Sequence, residues 1–408
     1  MKKYLKYSLA FLFIPILLLF KILSPIVRIR WAKKYFPDRI GHLVAEMEHY
    51  LCLIKKNKKF TIDLFPKNIF FNSNPSNTFL QKHYATKITK INTIIIKLFQ
   101  LSQEILEKFF NFTKFDNIDA LFSTRDNKKI FNKGFKPTIS FSESDMIFIK
   151  KKLKKIGIKQ NQKFVCLIIR DGKYLKKKLP KINFSYHDYR DSNTDNYKLG
   201  IKYLIKKNYF VLRMGKLQSR KLNLQNNKFL DYAFSKHRSD LMDVWLMANC
   251  EFCISTSTGL DQISRVFNKP TLLVNHLPLT EWSSHFRSLT HPKFLYSIKK
   301  KKFLDLEEYI VHSYFRKKYY EENYLKIIDL DRKQILSCIK EFLQLINNNW
   351  KISKQKKKKQ LNFNSLFKKY LKEYHPNIDF HKNIHKHALI SLNFLKKTKL
   401  LSKKKIKL

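Results

Sequence analysis

From Lys151 onward, short apolar runs alternate with amphipathic stretches. The apolar runs have the length of strands, and the stretches between them repeat apolar residues at helical spacing, as Tyr197, Ile201 and Leu204 do. Strands that alternate with helices of this length are typical of an α/β fold with a parallel, doubly wound sheet. The predicted strands lie in KFVCLIIRDG, YFVLRMG, NKFLDYAF, EFCIS and PTLLVN, and the predicted helices lie in NTDNYKLGIKYLIKKN, LMDVWLMANC (capped by Asp240) and GLDQISRVF.

The region before Lys151 has a less regular pattern. Leu43, Met47 and Tyr50 recur at helical spacing, and the KFTIDLF that follows alternates as a strand does. The sequence therefore predicts one strand–helix–strand unit, entered through a loop at Gly41–His42, within a first α/β domain.

Pattern and composition together divide the chain into four predicted parts. These are a membrane-associated segment (1–30), an N-terminal α/β domain (31–150), a C-terminal Rossmann-like domain (151–346) and a basic, partly helical tail (347–408). The tail has one apolar stripe, formed by Phe363, Leu366, Phe367, Tyr370 and Leu371. Such a stripe indicates either contact with anionic lipid or an ordinary packed helix.

The first 30 residues are apolar between basic flanks. The run from Ser8 to Phe20 is marginal in length for a membrane-spanning helix, and Pro15 would kink it. The segment is expected either to span the bilayer or to lie in its interface, with the bulk of the chain on the cytoplasmic side because the following flank is more basic. A buried core helix is less expected, since the segment has no polar face.

The formal net charge of +52 changes the list of partners to consider. A charge of this size suggests that the chain binds nucleic acid or an anionic membrane. However, the basic residues are scattered, no nucleic-acid-binding module is recognisable, and the abundance of Lys, Asn, Ile and Phe fits a coding bias. The five cysteines follow no disulfide or zinc pattern, so a reducing compartment is expected and Cys250 and Cys253 are predicted to be buried packing residues.

The chemistry is concentrated where the EFCIS strand turns into the next helix. Four hydroxyl residues and a glycine stand there: Ser255, Thr256, Ser257, Thr258 and Gly259. A helix N-terminus offers unpaired N–H groups, hydroxyls add donors, and glycine lets a ligand approach the backbone. The sequence predicts a phosphate or diphosphate site at this turn. The alternative is that the hydroxyls only cap the helix.

Three arginines are predicted at strand ends on the same rim: Arg170, Arg190 and Arg213, the last shortly before Gly215. Together they indicate recognition of a doubly charged phosphate group. The YHDYRDS segment around Arg190 adds Tyr186, His187, Asp188 and Asp191, which suit sugar hydroxyls. The alternative for this segment is a polar surface loop without a ligand.

Five short motifs, in this order, resemble those of a family of bacterial glycosyltransferases associated with surface carbohydrate. They are RIGHL, YHDYR, RMG, the SxSG-like turn in STSTGL, and TLLVN, with Thr258 where the family has serine, and the resemblance covers roughly Ile40 to Pro278. The resemblance implies a GT-B-like architecture, in which two Rossmann-like domains face a cleft and the nucleotide-sugar lies in the C-terminal one.

The resemblance also implies roles for residues and partners. Gly41 would lie at the acceptor side, and His42 or Glu48 would be the base, although His42 could be a structural cap and Glu48 a solvated helix residue. With no DxD-like motif at a suitable strand end, the expected enzyme is metal-independent, with a nucleotide-sugar as co-substrate, no further cofactor, and a glycan or lipid-linked acceptor at the cytoplasmic face of the bacterial inner membrane. The alternatives are a non-catalytic membrane-tethered scaffold and a basic nucleic-acid-binding protein.

Overall fold

The computed structural model describes residues 2–32, 39–55, 60–67, 75–109, 115, 118, 135–178, 183, 185–283, 285–378 and 384–398. By the contacts among its residues the chain divides into two compact units. Unit 1 comprises Met1–Thr124 and Pro137–Ser140, and unit 2 comprises Arg125–Lys136 and Phe141–Leu408.

Unit 1 contains a three-stranded parallel sheet in the order β1-β2-β3. Its strands are β1 (Arg28–Trp31), β2 (Thr61–Pro66) and β3 (Thr89–Ile91), and its helices are α1 (Lys2–Ile22), α2 (Ile40–Lys55), α3 (Thr78–Ala85) and α4 (Thr93–Phe109). The predicted strand–helix–strand unit is present as β1, α2 and β2. However, Gly41 and His42 belong to the first turn of α2 and not to a loop, because the helix begins at Ile40.

Unit 2 is built on a seven-stranded parallel sheet in the order β13-β9-β8-β7-β4-β5-β6. These strands are β4 (Phe164–Ile168), β5 (Phe210–Met214), β6 (Phe229–Leu230), β7 (Phe252–Ser255), β8 (Thr271–His276), β9 (Ser288–Pro292) and β13 (Ala388–Ile390). A small antiparallel sheet is formed by β10 (Phe294–Ser297), β11 (Lys302–Phe303) and β12 (Leu325–Ile328). The predicted α/β class with parallel sheets is confirmed.

Unit 2 has its own helices, several of which begin at residues that suit helix N-termini. They are α5 (Glu143–Lys155), α6 (Lys173–Lys178), α7 (Lys198–Lys206), α8 (Asp240–Asn249), α9 (Asp261–Val266), α10 (Leu306–Val311), α11 (Lys317–Glu322), α12 (Arg332–Asn347), α13 (Lys354–Tyr374) and α14 (Leu392–Lys397). Capping boxes begin α5, α10 and α12. The cap of α8 is Ser239, whose side chain accepts from Met242 N, and the predicted Asp240 is instead the first helical residue.

Helices α7 and α12 pack closely because Gly200 has no side chain. A Cβ at this position would lie 2.4 Å from Ile339 Cδ1, so a larger residue would require the end of the Ile339 side chain to move. The tail belongs to the same core. Phe363, Phe367 and Leu371 of α13 are buried in the hydrophobic core of unit 2, and β13 forms an edge of the large sheet.

The N-terminal helix α1 packs against α4 in unit 1. Within the described ranges, no helix combines the length and the hydropathy that a bilayer-crossing segment needs. All five cysteines are free and buried, which confirms the predicted packing role of Cys250 and Cys253.

Candidate functional site

The order of the large sheet reverses its direction of growth between β4 and β7. The strand that follows β4 in the chain is laid down on one side of it, and β7 and its successors are laid down on the other. In parallel sheets of this kind, ligands bind beyond the carboxyl ends of the strands at the switch point. Two hydrogen bonds fix this edge: Arg170 N donates to Thr256 Oγ1 at 2.9 Å, and Thr256 N donates to Ile168 O at 3.2 Å.

The turn after β7 is held by its own side chains. Ser255 Oγ donates to Asp261 Oδ2 at 2.7 Å, Thr258 N donates to the same oxygen at 2.9 Å, and Ser257 N donates to Ser255 Oγ at 3.0 Å. Ser257 takes a left-handed backbone conformation with a φ of 62°. Asp261 is buried, and burial raises the pKa of its carboxyl. The sequence reasoning missed Asp261, although a carboxylate in a helix first turn was a visible signal.

The part of this turn that could hold a phosphate is therefore smaller than the sequence predicted. Ser255 and Thr256 are buried and engaged within the turn, and helix α9 has only six residues. Ser257, Thr258 and Gly259 are half-buried. Thr258 Oγ1 has no hydrogen-bond partner among the residues that the structure describes. The part of the turn that is open to a ligand thus begins at Ser257.

Arg190 joins the YHDYR segment to this turn. The segment Ser185–Arg190 forms a 3₁₀ helix, and Arg190 Nη2 donates to the carbonyl oxygen of Ser257 at 2.5 Å. The guanidinium keeps donors beyond this bond, because its buried Nε has no partner within the described part of the chain. Two motifs that lie 67 residues apart in sequence therefore meet at the switch point.

Arg170 contacts neighbouring protein groups, whereas the sequence predicted that it would contact a phosphate. Its Nη1 donates to His187 O at 3.0 Å and forms an ion pair with Asp191, so the guanidinium fastens the YHDYR segment to the end of β4. The Asp191 carboxyl is largely buried, and burial raises its pKa to about 6 although the charge of Arg170 acts in the opposite direction. Asp188 and Asp191 lie beside each other near Gly172, and their repulsion acts in the same direction as burial.

Arg213 does not reach the rim. Its side chain is fully buried, with Nη1 donating to Asp231 Oδ2 at 2.9 Å and to Arg220 O at 2.7 Å, and Nη2 donating to Gln218 Oε1 at 2.9 Å. A buried charge needs such partners, and they leave no accessible face for a phosphate. The assignment of Arg213 to the donor site was wrong in geometry: this arginine organises the turn after β5.

Gly215 also serves packing and not a ligand. It is buried, its φ is 155°, and a Cβ there would lie 2.6 Å from Gln218 Nε2. The RMG motif is thus explained by the fit of Gln218 against Gly215 and of Arg213 against Asp231. The remaining predicted contributors, Tyr186 and His187, are half-buried on the 3₁₀ helix with ring centroids 4.1 Å apart.

Two further residues, neither of them a predicted site residue, hold the rim in place. Lys293 is buried, and its Nζ donates to Asp191 O at 2.5 Å and pairs with Asp329 Oδ1 at 2.7 Å. Asn275, the last residue of TLLVN, donates from Nδ2 to Ser192 Oγ at 2.8 Å and accepts from Leu330 N at 2.8 Å. Both anchor the chain just after Arg190, so this arginine is presented on a rigid support.

In unit 1, His42 forms a pair with a residue that sequence reasoning did not single out. His42 Nδ1 lies 2.5 Å from Glu46 Oε1, one helical turn further along α2. Glu46 is buried, and burial raises the pKa of its carboxyl while the bond to His42 opposes the rise. A carboxylate behind an imidazole fixes its tautomer and orientation, which suits a general base. Gly41 is buried beside His42 in the same turn.

Glu48 is a structural residue. It is fully buried and accepts three hydrogen bonds: from Tyr84 Oη at 3.0 Å, from Thr138 N at 2.7 Å and from Thr138 Oγ1 at 2.7 Å. Burial raises the pKa of its carboxyl despite these bonds. Both the predicted role as a base and the alternative of a solvated helix residue were wrong, because α2 turns this side chain into the interior of unit 1.

Comparisons with known proteins add little to this geometry. No protein-family model matches the chain, and no curated protein matches it in sequence. The solved structure of the E. coli ADP-heptose LPS heptosyltransferase II aligns with 79% of this chain and 99% of its own, at 10% identity and a TM-score of 0.37. A TM-score of this size carries no conclusion about fold or activity.

Proposed function

We propose that the chain is a glycosyltransferase that moves a sugar from a nucleotide-sugar to a hydroxyl group of a glycan or lipid-linked acceptor. The observation that carries the proposal is the bond from Arg190 to Ser257 at the switch point of the parallel sheet. Such a crevice is the usual ligand site of this architecture, and an arginine with unused donors is suited to a diphosphate.

The proposed chemistry assigns the leaving group to this rim. The acceptor oxygen attacks the anomeric carbon of the sugar, a new C–O bond forms, and the bond to the diphosphate oxygen breaks with its electron pair. Negative charge therefore develops on the departing nucleoside diphosphate. Arg190, together with Ser257 and Thr258, would donate hydrogen bonds to it, and a fixed arginine stabilises such charge without reorganisation. No metal ion is required in this scheme.

The proton of the acceptor hydroxyl needs a base. We assign this role to His42, with Glu46 as its positioning residue, because the pair can accept a proton on the imidazole while the carboxylate stabilises the resulting charge.

A panel of nucleotide-sugars tests the proposal directly. A nucleotide-sugar that binds the folded chain should raise its melting temperature, and the rise should be reduced in an Arg190→Lys variant. The same nucleotide-sugar should then be consumed in the presence of a suitable acceptor and of EDTA. Binding without turnover for every acceptor offered would favour the scaffold alternative, and stabilisation by oligonucleotides alone would favour a nucleic-acid-binding protein.

A further inference from the structure

The outward face of helix α1 is apolar from Leu9 to Ile22. The side chains that share this exposed face are large and hydrophobic: Leu9, Phe11, Leu12, Ile16, Leu19 and Ile22. In Leu12 and Leu19 the exposed fractions are 69% and 51%. Contiguous apolar surface of this kind marks a site of interaction with a membrane or with another protein.

The opposite face of α1 packs against helix α4. Ala10 and Leu17 are buried against α4, with Phe99 and Ile105 in the same contacts. A hydrogen bond from Ser102 Oγ to the carbonyl oxygen of Ala10, at 2.6 Å, fastens the two helices together. A helix held along one side in this way presents only its other side to a partner.

The charge around α1 identifies that partner. The sequence places Lys2, Lys3 and Lys6 at its amino end, Lys21 in its last turn and Arg28 at the start of β1, and no acidic residue precedes Asp38. Apolar side chains between basic residues match the boundary between acyl chains and anionic headgroups. A second copy of the same face would instead bring like charges together.

We propose that α1 binds an anionic membrane surface by lying in the interface, with the Leu12–Leu19 face in the lipid and with α4 on the side away from it. The helix therefore does not cross the bilayer, since its other side remains packed against α4. This assignment does not depend on the proposed sugar transfer, and it places the enzyme where a lipid-linked acceptor would be within reach.

Co-sedimentation of the full chain with vesicles tests this orientation. The test variant is Leu12→Gln with Leu19→Gln, because glutamine keeps helix propensity and removes the apolar surface. The matched control is Ile147→Gln with Ile298→Gln, two side chains of unit 2 that are 65% and 55% exposed. Vesicles of phosphatidylcholine with phosphatidylglycerol are compared with vesicles of phosphatidylcholine alone, and circular dichroism verifies folding.

The parent chain and the control are expected to bind the mixed vesicles, more weakly as salt is raised. The α1 variant should lose about tenfold or more of this binding while its melting temperature stays near that of the parent. Equal binding of the α1 variant and the parent would overturn the proposal. A second result would also overturn it: the parent is a dimer, the α1 variant is a monomer, and neither protein binds the vesicles.

Discussion

Arg190 Nη2 donates to the carbonyl oxygen of Ser257 at 2.5 Å, across the point where the parallel sheet reverses its order. This bond brings a 3₁₀ helix that follows β4 to the turn that follows β7. Lys293 and Asn275 hold the chain beyond Arg190, and Asp261 holds the turn beyond Ser257. The two sides of the rim are thus independently supported, and a ligand there would meet preset groups.

Arg190→Lys should keep the charge but lose the planar fork. Nucleotide-sugar affinity should fall by about tenfold or more, as for the loss of one charge-assisted bond of about 1.5–3 kcal/mol. Titration calorimetry measures the change. The matched control is Arg220→Lys, since Arg220 is a largely exposed arginine of unit 2 that is paired with Asp195. This control variant should bind the nucleotide-sugar with the affinity of the parent. Equal affinities of all three proteins would contradict the role of Arg190.

Because the pKa of the Asp191 carboxyl is raised, the stability of the folded chain should depend on pH. Burial raises the pKa of its carboxyl from 3.8 to about 6, so the folded chain favours the neutral form. The stability that this carboxyl contributes is complete below about pH 4 and is lost as the pH rises through about 6. Asp191→Asn should therefore unfold at the same urea concentration as the parent near pH 4 and at a higher one at pH 7. A variant less stable than the parent at pH 7 would mean that the ion pair with Arg170 dominates.

Glu48→Ala should lower the free energy of unfolding by about 3 kcal/mol or more, because buried donors on Tyr84 and Thr138 would lose their acceptor. Urea denaturation measures the loss. Glu104→Ala, at an exposed position of α4, should change stability by no more than about 0.5 kcal/mol. Wild-type stability in Glu48→Ala, combined with lost activity, would return Glu48 to the list of catalytic candidates.

Glu46→Gln tests the positioning of His42. The glutamine keeps the shape of the side chain but removes the charge that stabilises a protonated imidazole. We expect kcat of sugar transfer to fall by about tenfold to a hundredfold and KM for the donor to stay constant. A lower melting temperature with an unchanged kcat would show that the pair only stabilises α2.

The parallel sheet could be predicted from the sequence because it follows from local patterns. Apolar runs of strand length and helical repeats are properties of neighbouring residues, and they located β4, β5, β7 and β8. The predicted strand NKFLDYAF was only partly realised, since β6 has two residues and is followed by a 3₁₀ turn at Tyr232–Phe234. An edge strand with few ladder bonds leaves a weak signal in sequence.

The site was harder to predict because it depends on partners that are distant in sequence. Arg170 follows β4, Arg213 lies within β5 and Arg190 ends a 3₁₀ helix, and their side chains meet different partners. Arg213 is buried because Asp231, 18 residues further on, lies at the end of the neighbouring strand and accepts from it. Sequence position alone does not distinguish an arginine that meets a ligand from one that meets a buried carboxylate.

We propose that the open part of the turn after β7 holds the diphosphate of a nucleotide-sugar. Gly259 gives the sharpest test, because its φ lies outside the left-handed region and a side chain there is not strained by the backbone. The measurement is calorimetric titration of the stabilising nucleotide-sugar into Gly259→Val, with circular dichroism to verify folding and Ser257→Ala as the milder comparison. We expect Gly259→Val to fold but to show no measurable binding, and Ser257→Ala to lose about 1 kcal/mol of binding free energy. A folded Gly259→Val that binds the nucleotide-sugar as the parent does would contradict it.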